Sequence, residues 1–258
     1  MFLSDLFSLH GKTAVVIGGS GVLAGEMAHG LAKAGANIVI VGRNLDNAIE
    51  RAKAIDPSGE RAAGVSGDAT SKADLERVLA TAQSRFGAVD ILVNAAGVNS
   101  GTPFFDITEE EWSRILDIDL RSVFLACQVF GKPMVEGGRG GSIINLSSAS
   151  SGPPLSRVFT YGVAKAGVNQ ITQFLAREWA PHRVRVNAIL PGFFPAEQNR
   201  KLLTEERVAS ILSHTPMKRF GDASELVGAT IFLASEKASS FVTGAILRVD
   251  GGFGAMTI

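Results

Sequence analysis

Short apolar runs alternate along the chain with longer segments in which apolar residues recur at helical spacing. Most of the runs are rich in valine and isoleucine, and few of them alternate with polar residues, as is typical of strands covered on both faces. Seven strands are predicted, over residues 13–17, 38–41, 62–66, 91–93, 142–146, 184–190 and 245–249.

The segments between these runs have an amphipathic pattern and predict helices. They cover residues 23–34, 45–54, 71–86, 109–135, 160–180 and 223–234. Strands that alternate with helices predict an α/β fold, here a doubly wound Rossmann-type parallel sheet of about seven strands with helices on both faces. No linker, repeat or low-complexity block divides the chain, so we interpret residues 1–258 as a single domain.

Residues 192–222 break this alternation. The segment opens with Gly192-Phe-Phe-Pro195, continues through charged residues 197–207, and ends near His214-Thr-Pro-Met. We interpret it as an insertion before the last strand. Long insertions often close over a ligand, and the alternative is a pair of helices packed on the surface.

Composition narrows the functional class. The 258 residues contain 25 Lys+Arg and 25 Asp+Glu, and this balance argues against a nucleic-acid binder or a polybasic membrane-surface protein. Cys127 is the single cysteine and lies in an apolar helical stretch, so we expect a buried core residue and a cytoplasmic, reducing setting. The four histidines lie far apart and predict no metal site. The sequence also predicts neither a signal peptide nor a transmembrane helix.

A glycine-rich turn follows the first predicted strand and leads into a helix. Such a turn lets the backbone approach a pyrophosphate, and the helix N-terminus supplies free N–H groups and the positive end of a dipole. The required context of strand, turn, helix and second strand is present. We therefore expect a dinucleotide to contact Gly18, Ser20, Gly21 and Leu23.

The end of the second strand bears on the choice of cofactor. An acidic residue there would bind the ribose 2′-hydroxyl of NAD, but the chain reads Gly42-Arg43-Asn44. A guanidinium suits a phosphate, so we expect NADP(H) to be favoured over NAD(H), with Arg43 at the 2′-phosphate and Asn44 and Ser20 beside it. The alternative is that Arg43 is a solvated residue at a strand end.

The strongest chemical signal is Tyr161-Gly-Val-Ala-Lys165. Residues four apart share a helix face, and an ammonium near a phenol stabilises the phenolate. Such a phenol can exchange a proton with a substrate oxygen. Ser148 stands at the end of a predicted strand and could hydrogen-bond the same oxygen. Tyr161 is the only tyrosine in the chain, which favours this interpretation over a packing role.

Together these residues resemble the short-chain dehydrogenase/reductase family over nearly the whole chain. The resemblance implies that Tyr161 is the general acid in reduction and the base in oxidation. Ser148 would orient and polarise the carbonyl, and Lys165 would stabilise the phenolate and hold the nicotinamide ribose. Further cofactor contacts implied by the family's motifs are Asp68 and Ala69 after the third strand, Asn94, Ala95 and Gly97 after the fourth, and Pro191 and Gly192 near the nicotinamide.

Three positions depart from the family pattern. Ile17 replaces the threonine that usually precedes the glycine turn, whose glycines are also spaced differently. Asp119 stands where the family has an asparagine that supports a proton-relay water through its main chain. We include Asp119 in the catalytic set and expect its extra charge near Lys165. Ala196 replaces a threonine near the carboxamide of the nicotinamide.

Within the family, the glycine loop and the segments 191–200 and 214–221 are similar to D-mannonate (fructuronate) oxidoreductases and gluconate dehydrogenases. This implies a keto-sugar acid or polyol acid as small-molecule substrate, with Gln198, Asn199 and Arg200 as candidate contacts. Mannonate-type members usually carry an aspartate at the position of Gly42. The resemblance also implies a homotetramer assembled through the helices near 109–135 and 160–180.

Two alternatives remain open from the sequence. The same scaffold serves 3-oxoacyl thioester reductases and broad carbonyl reductases. A weakly active NADP-binding regulatory or structural protein is the alternative from another class, because fold does not fix function. The intact set of Ser148, Tyr161 and Lys165 favours an enzyme, since a binding module needs no proton donor at that place.

Overall fold

The computed structural model describes residues 2–195 and 204–256. Seven parallel strands form one sheet in the order β3-β2-β1-β4-β5-β6-β7. The predicted fold class is confirmed, and each predicted strand end lies within one residue of the observed end. The strands are β1 Thr13–Ile17, β2 Asn37–Gly42, β3 Ala62–Ser66, β4 Ile91–Asn94, β5 Gly141–Leu146, β6 Val184–Pro191 and β7 Ile246–Val249.

Helices cover both faces of the sheet and bury two apolar clusters against it. Helices α4, α6 and α7 contribute to one cluster, and α2, α3 and α9 contribute to the other. The helices are α1 Phe2–Leu6, α2 Val22–Lys33, α3 Leu45–Ile55, α4 Lys72–Phe86, α5 Glu109–Leu116, α6 Ser122–Glu136, α7 Phe159–Trp179, α8 Glu205–His214, α9 Val227–Ala234 and α10 Glu236–Ser239.

One predicted helix proves to be two. A π-helical turn, Asp117–Arg121, separates α5 from α6, so the prediction of a single helix over 109–135 was wrong in detail. A π-helical turn adds a residue to one turn while the backbone stays helical, so the apolar pattern runs on from α5 through the turn into α6. The hydroxyl of Ser122, the first residue of α6, donates a hydrogen bond to the Ile118 carbonyl of this turn at 2.6 Å. The turn carries Asp119 into the protein interior.

The strand order reverses between β1 and β4, which lie side by side in the sheet. In open parallel sheets the loops at such a switch point diverge and leave a crevice at the carboxyl ends of the strands. The segments that follow β1, β2, β4, β5 and β6 all leave from this edge. They carry most of the residues proposed above for the cofactor and the chemistry.

The described parts of the 192–222 segment pack onto this edge. Phe194 is 9% exposed and joins an apolar cluster, and the Gly221 N–H donates to the Phe193 carbonyl at 2.9 Å. Helix α8 begins after Thr204, whose hydroxyl accepts the Arg207 N–H at 3.3 Å. Among the described helices, none is long and apolar enough to cross a membrane.

Candidate active site

The glycine turn after β1 packs closely against the loop that follows β4. Gly18 has a φ of +78°, and an added Cβ would lie 2.7 Å from the amide nitrogen of Ala96, so only glycine fits. Gly21 caps helix α2 in an extended conformation and provides no side-chain acceptor for the first turn. The free N–H groups and the positive dipole end of α2 fit the pyrophosphate of a dinucleotide.

The third glycine of the turn has a different role. An added Cβ at Gly25 would lie 2.8 Å from Nε of Arg51, a residue of α3. Gly25 therefore lets the Arg51 side chain pass across α2, and it serves packing between the two helices. This explains why a glycine stands at position 25.

The end of β2 brings Ser20 and Gly42 together. An added Cβ at Gly42 would lie 2.8 Å from Oγ of Ser20, so the serine hydroxyl borders the place that an acidic side chain would occupy. Arg43 is exposed, and its side chain makes no hydrogen bond or ion pair with any residue in 2–195 or 204–256. Asn44 is partly engaged, because its Oδ1 accepts the Asn47 N–H at 3.0 Å and caps α3.

Two further predicted contacts follow β3. Asp68 is half-buried, and its Oδ1 accepts the N–H of Thr70 at 2.8 Å and the Thr70 hydroxyl at 2.7 Å. These bonds fix the carboxylate at the edge of the nucleotide crevice, and Ala69 beside it is buried.

The residues at and after the end of β4 lie in the protein interior or beside the crevice at the carboxyl ends of the strands. The Asn94 side chain is 3% exposed and donates to Oδ1 of Asn145 at 2.8 Å, so only its main chain is available to a cofactor. The Ala95 N–H donates to the Ile17 carbonyl at 3.0 Å. At Gly97, an added Cβ would lie 2.6 Å from Oδ1 of Asp119. Gly97 therefore lets the chain pass close to that buried carboxylate.

Ser148 and Tyr161 line the same cavity, which measures about 190 Å³. Ser148 lies two residues after β5, and its Oγ accepts hydrogen bonds from the Ser150 N–H at 3.2 Å and the Ser150 hydroxyl at 3.0 Å. Tyr161 is half-buried in the first turn of α7. The structure thus brings the predicted proton donor and the predicted carbonyl-orienting serine into one space.

Lys165 is held one helical turn from Tyr161. It is 3% exposed, its ammonium donates to the Leu146 carbonyl at 3.0 Å, and its Nζ lies 5.4 Å from the centre of the Tyr161 ring. Its Nζ also lies 3.3 Å from Oδ1 of Asp119. The predicted proximity of Asp119 to Lys165 is thus observed.

Asp119 is fully buried, and its Oδ2 accepts the Val98 N–H at 3.0 Å. Burial raises the pKa of the Asp119 carboxyl above its ordinary value, while the Lys165 charge and the Val98 N–H oppose that rise. The carboxylate therefore ties the loop after β4 to the lysine. This side-chain role comes in addition to the main-chain role that the sequence predicted.

The remaining walls of the cavity are mostly apolar. Leu23, Pro191 and Gly192 from the predicted set border it. Phe193 and Phe194 also border it, and each packs against an apolar cluster of described residues. The predicted substrate residues Gln198, Asn199 and Arg200, and the departing position Ala196, lie outside the described residues.

Comparison with known proteins decides the family. A family model described as enoyl-(acyl carrier protein) reductase matches residues 20–254. The 2-dehydro-3-deoxy-D-gluconate 5-dehydrogenase of Escherichia coli is 38% identical, over 96% of this chain and 97% of that protein. The chain belongs to the short-chain dehydrogenase/reductase family.

Solved structures show that this short-chain dehydrogenase also resembles such proteins in its three-dimensional fold. A gluconate 5-dehydrogenase from Burkholderia cenocepacia, solved with NADP and tartrate, superposes with a TM-score of 0.94 at 33% identity and covers 99% of this chain and 100% of its own. A Haemophilus influenza protein, provisionally assigned as a D-mannonate oxidoreductase and solved with NAD, gives 0.90 at 32% identity, with 99% of each chain covered.

This short-chain dehydrogenase is an oxidoreductase that uses a nicotinamide dinucleotide to interconvert a carbonyl and a secondary alcohol. The nicotinamide donates or accepts the hydride, and the protein supplies binding, orientation and electrostatics. Solved relatives hold either NADP or NAD, so the comparisons identify the class of cofactor.

The sequence analysis did not predict the charged residue that borders this cavity. Arg207 lies in the first turn of α8 and lines the cavity beside Ser148 and Tyr161. The sequence marks the surrounding segment as charged, and Thr204 followed by acidic residues is a helix-start signal. Neither signal says which side chain reaches the cavity, because that depends on how α8 packs.

Proposed function

We propose that this dehydrogenase interconverts a keto-sugar acid and its hydroxy acid, with NADP(H) preferred over NAD(H). The observation that carries the proposal is the single cavity that holds Ser148, Tyr161 and one positive charge, that of Arg207. Relatives named for gluconate derivatives cover nearly the whole chain, and one of them was solved with tartrate, a hydroxy acid.

The hydrogen bonds of Ser148 favour its proposed role as a donor. Its Oγ already accepts two hydrogen bonds from Ser150, which occupy both lone pairs of the hydroxyl oxygen. The remaining O–H proton is then free to be donated to a substrate oxygen. Ser150 therefore acts as a positioning residue: it occupies the acceptor sites of the Ser148 hydroxyl and leaves that hydroxyl to donate only.

Tyr161 is the proposed proton carrier. In reduction its hydroxyl gives a proton to the carbonyl oxygen as that oxygen gains negative charge, and in oxidation its phenolate takes the proton back. Lys165 supports the phenolate through its positive charge, with the Nζ 5.4 Å from the ring centre. The lysine ammonium has three donors; one goes to the Leu146 carbonyl and one points to the Asp119 carboxylate, which leaves one for a ribose hydroxyl.

The preference for NADP(H) rests on the end of β2. Gly42 provides no carboxylate, and the Ser20 hydroxyl borders its position. Arg43 presents an exposed guanidinium with no partner among the described residues. A neutral donor and a free cation suit a 2′-phosphate, whereas the 2′-hydroxyl of NAD would lack its usual acceptor.

A substrate panel tests the proposal. Purified protein is mixed with NADPH, and separately with NADH, against 5-ketogluconate, fructuronate, an acetoacetyl thioester and a simple ketone, and the nicotinamide absorbance is followed. Faster turnover of a keto-sugar acid with NADPH supports the proposal. Preference for the thioester or the ketone would replace it with the alternative reductase activity. Cofactor binding without turnover of any substrate would favour a regulatory or structural role.

We also infer a homotetramer. Helices α6 and α7 leave Phe124 and Phe174 47% and 65% exposed, and a shallow apolar depression formed by Leu120, Phe124, Gly167 and Ile171 lies between the helices. Contiguous exposed apolar surface of this kind is typical of protein–protein contacts. Light scattering is expected to give a tetramer, and a monomer at micromolar concentration would contradict the inference.

A further inference from the structure

Arg207 is the one charged side chain that borders the Ser148–Tyr161 cavity within the part of the chain that the structure describes. The rest of the lining consists of neutral polar groups such as Asn99 and Ser150, and of apolar groups such as Leu155 and Phe220. Arg207 is partly buried at this wall, and a cation in such a position attracts an anion bound inside the cavity more strongly than a fully solvated cation would.

Among the described residues, one neighbour, Ser156, contacts the guanidinium of Arg207. Its Nη1 donates to the Ser156 hydroxyl at 3.4 Å, and its Nη2 donates to the Ser156 carbonyl at 3.2 Å. Ser156 belongs to the loop that leads into α7, the helix of Tyr161. These two contacts link the guanidinium to the segment that leads into the helix of Tyr161.

The described residues do not neutralise the charge of Arg207. No carboxylate among the described residues forms an ion pair with it, and Ser156 engages only two of its N–H groups. The remaining N–H groups are therefore available to a ligand. Two parallel N–H groups match the spacing of the two oxygens of a carboxylate and bind it in a bidentate pair.

We propose that Arg207 binds the carboxylate of the substrate while Ser148 and Tyr161 hold its reacting oxygen. This inference rests on the proposed function and identifies the residue by which the site would select its substrate. The site would accept keto-sugar acids in preference to neutral ketoses of the same length. Arg207 is then a specificity-determining residue, because it acts at the far end of the substrate and takes no part in the proton transfer.

The test compares 5-ketogluconate with L-sorbose, in which a hydroxymethyl group replaces the carboxylate. In Arg207→Ala, KM for 5-ketogluconate is expected to rise about 10- to 100-fold, the range for one charged hydrogen-bonded pair. Its kcat is expected to change by less than about threefold, and kcat/KM for L-sorbose by less than about twofold. Added guanidinium ion is expected to restore part of the lost activity toward the acid only.

Three further variants complete the experiment. Arg207→Lys keeps the positive charge but loses the two parallel N–H groups of the guanidinium. Its KM for 5-ketogluconate is expected to fall between those of wild type and Arg207→Ala. Arg157→Asn is the matched control, since Arg157 is an exposed cation next to Ser156 with a φ of +64°, a conformation that asparagine tolerates. Its kinetics are expected to stay at wild-type values. Arg200→Ala is measured in parallel.

Several outcomes would overturn the inference. Equal losses on the acid and on L-sorbose would mean that Arg207 only supports the Ser156 loop. An unchanged KM, or a selective loss in Arg200→Ala instead, would place the carboxylate elsewhere while leaving the proposed function intact. If wild type reduces no sugar acid but reduces the thioester, the proposed function itself fails and the inference fails with it.

Discussion

The Asp119 carboxylate lies 3.3 Å from the Lys165 ammonium, and both side chains are buried. This places a negative charge behind the positive charge that supports the Tyr161 phenolate. The same carboxylate accepts the Val98 N–H and so couples the loop after β4 to the catalytic helix. Asp119 acts through Lys165. It is therefore a positioning residue, and its carboxylate also partly neutralises the charge of the lysine.

Replacement of Asp119 by asparagine is expected to alter the pH dependence of the reaction. Asp119→Asn removes a negative charge close to Lys165, so the positive charge beside Tyr161 is less compensated. The acid limb of the kcat profile for alcohol oxidation should move to lower pH, with NADP affinity retained. Asp117→Asn is the matched control, because Asp117 lies on the same π turn with a half-exposed side chain. A profile that stays in place or moves to higher pH would contradict this role.

The buried carboxylate also predicts a pH dependence of stability. Burial raises the pKa of Asp119 in the folded protein, whereas in the unfolded chain the carboxyl titrates near an ordinary value of about 3.9. As pH rises above about 4, the unfolded state releases this proton first, so the free energy of unfolding of wild type falls relative to that of Asp119→Asn.

Urea unfolding of both proteins at about pH 4.5 and about pH 7 measures this difference. The free energy of unfolding of wild type minus that of the variant is expected to be lower at the higher pH. A difference that is constant or grows with pH would show that the carboxyl ionises as readily in the folded protein as in the unfolded chain.

Arg43 is expected to set the choice of cofactor. Arg43→Ala should raise KM for NADPH by about tenfold, a modest value because the guanidinium is solvent-exposed, and should leave KM for NADH unchanged. Arg77→Ala removes another exposed cation, one that already binds the Ser66 carbonyl and Asp74, and serves as control. If Arg43→Ala leaves the NADPH/NADH ratio at its wild-type value, Arg43 is a solvated residue at a strand end.

Cys127 is expected to be unreactive in the folded protein. Its thiol is 1% exposed, burial raises its pKa to about 12, and its Sγ accepts a weak hydrogen bond from Asn94 at 3.6 Å. Only the thiolate reacts with iodoacetamide, so at about pH 8 the native enzyme should remain unlabelled and active, while the urea-unfolded chain is labelled fully. Labelling of the native protein with loss of activity would refute this assignment.

The sheet could be predicted because its strands are covered on both faces and read as continuous apolar runs. Gly18, Ser148 and Pro191 lie at or just after the ends of β1, β5 and β6, and because these strands are parallel, the three residues lie at the same edge of the sheet. The direction of a side chain is harder to predict: Asn94 points into the interior because Asn145 on the neighbouring strand provides a partner. Sequence spacing contains no information about that pairing.

The cavity depends on packing between segments far apart in the chain. Arg207 reaches it because α8 packs against the loop of Ser156, 51 residues earlier. The Ser150 hydrogen bonds that orient Ser148 depend on a short 3₁₀ turn with no distinct sequence signal. The roles assigned to Ser148, Tyr161 and Lys165 remain predictions that kinetics must test.

The most direct test of the account is the rate of hydride transfer in Tyr161→Phe, measured by stopped-flow absorbance in a single turnover of NADPH with the keto-sugar acid that wild type reduces fastest. Phenylalanine keeps the ring beside Lys165 and removes only the proton donor. We expect NADPH to bind with unchanged affinity and hydride transfer to slow by at least about 100-fold, the usual contribution of a positioned general acid. Hydride transfer at close to the wild-type rate would contradict the proposed mechanism.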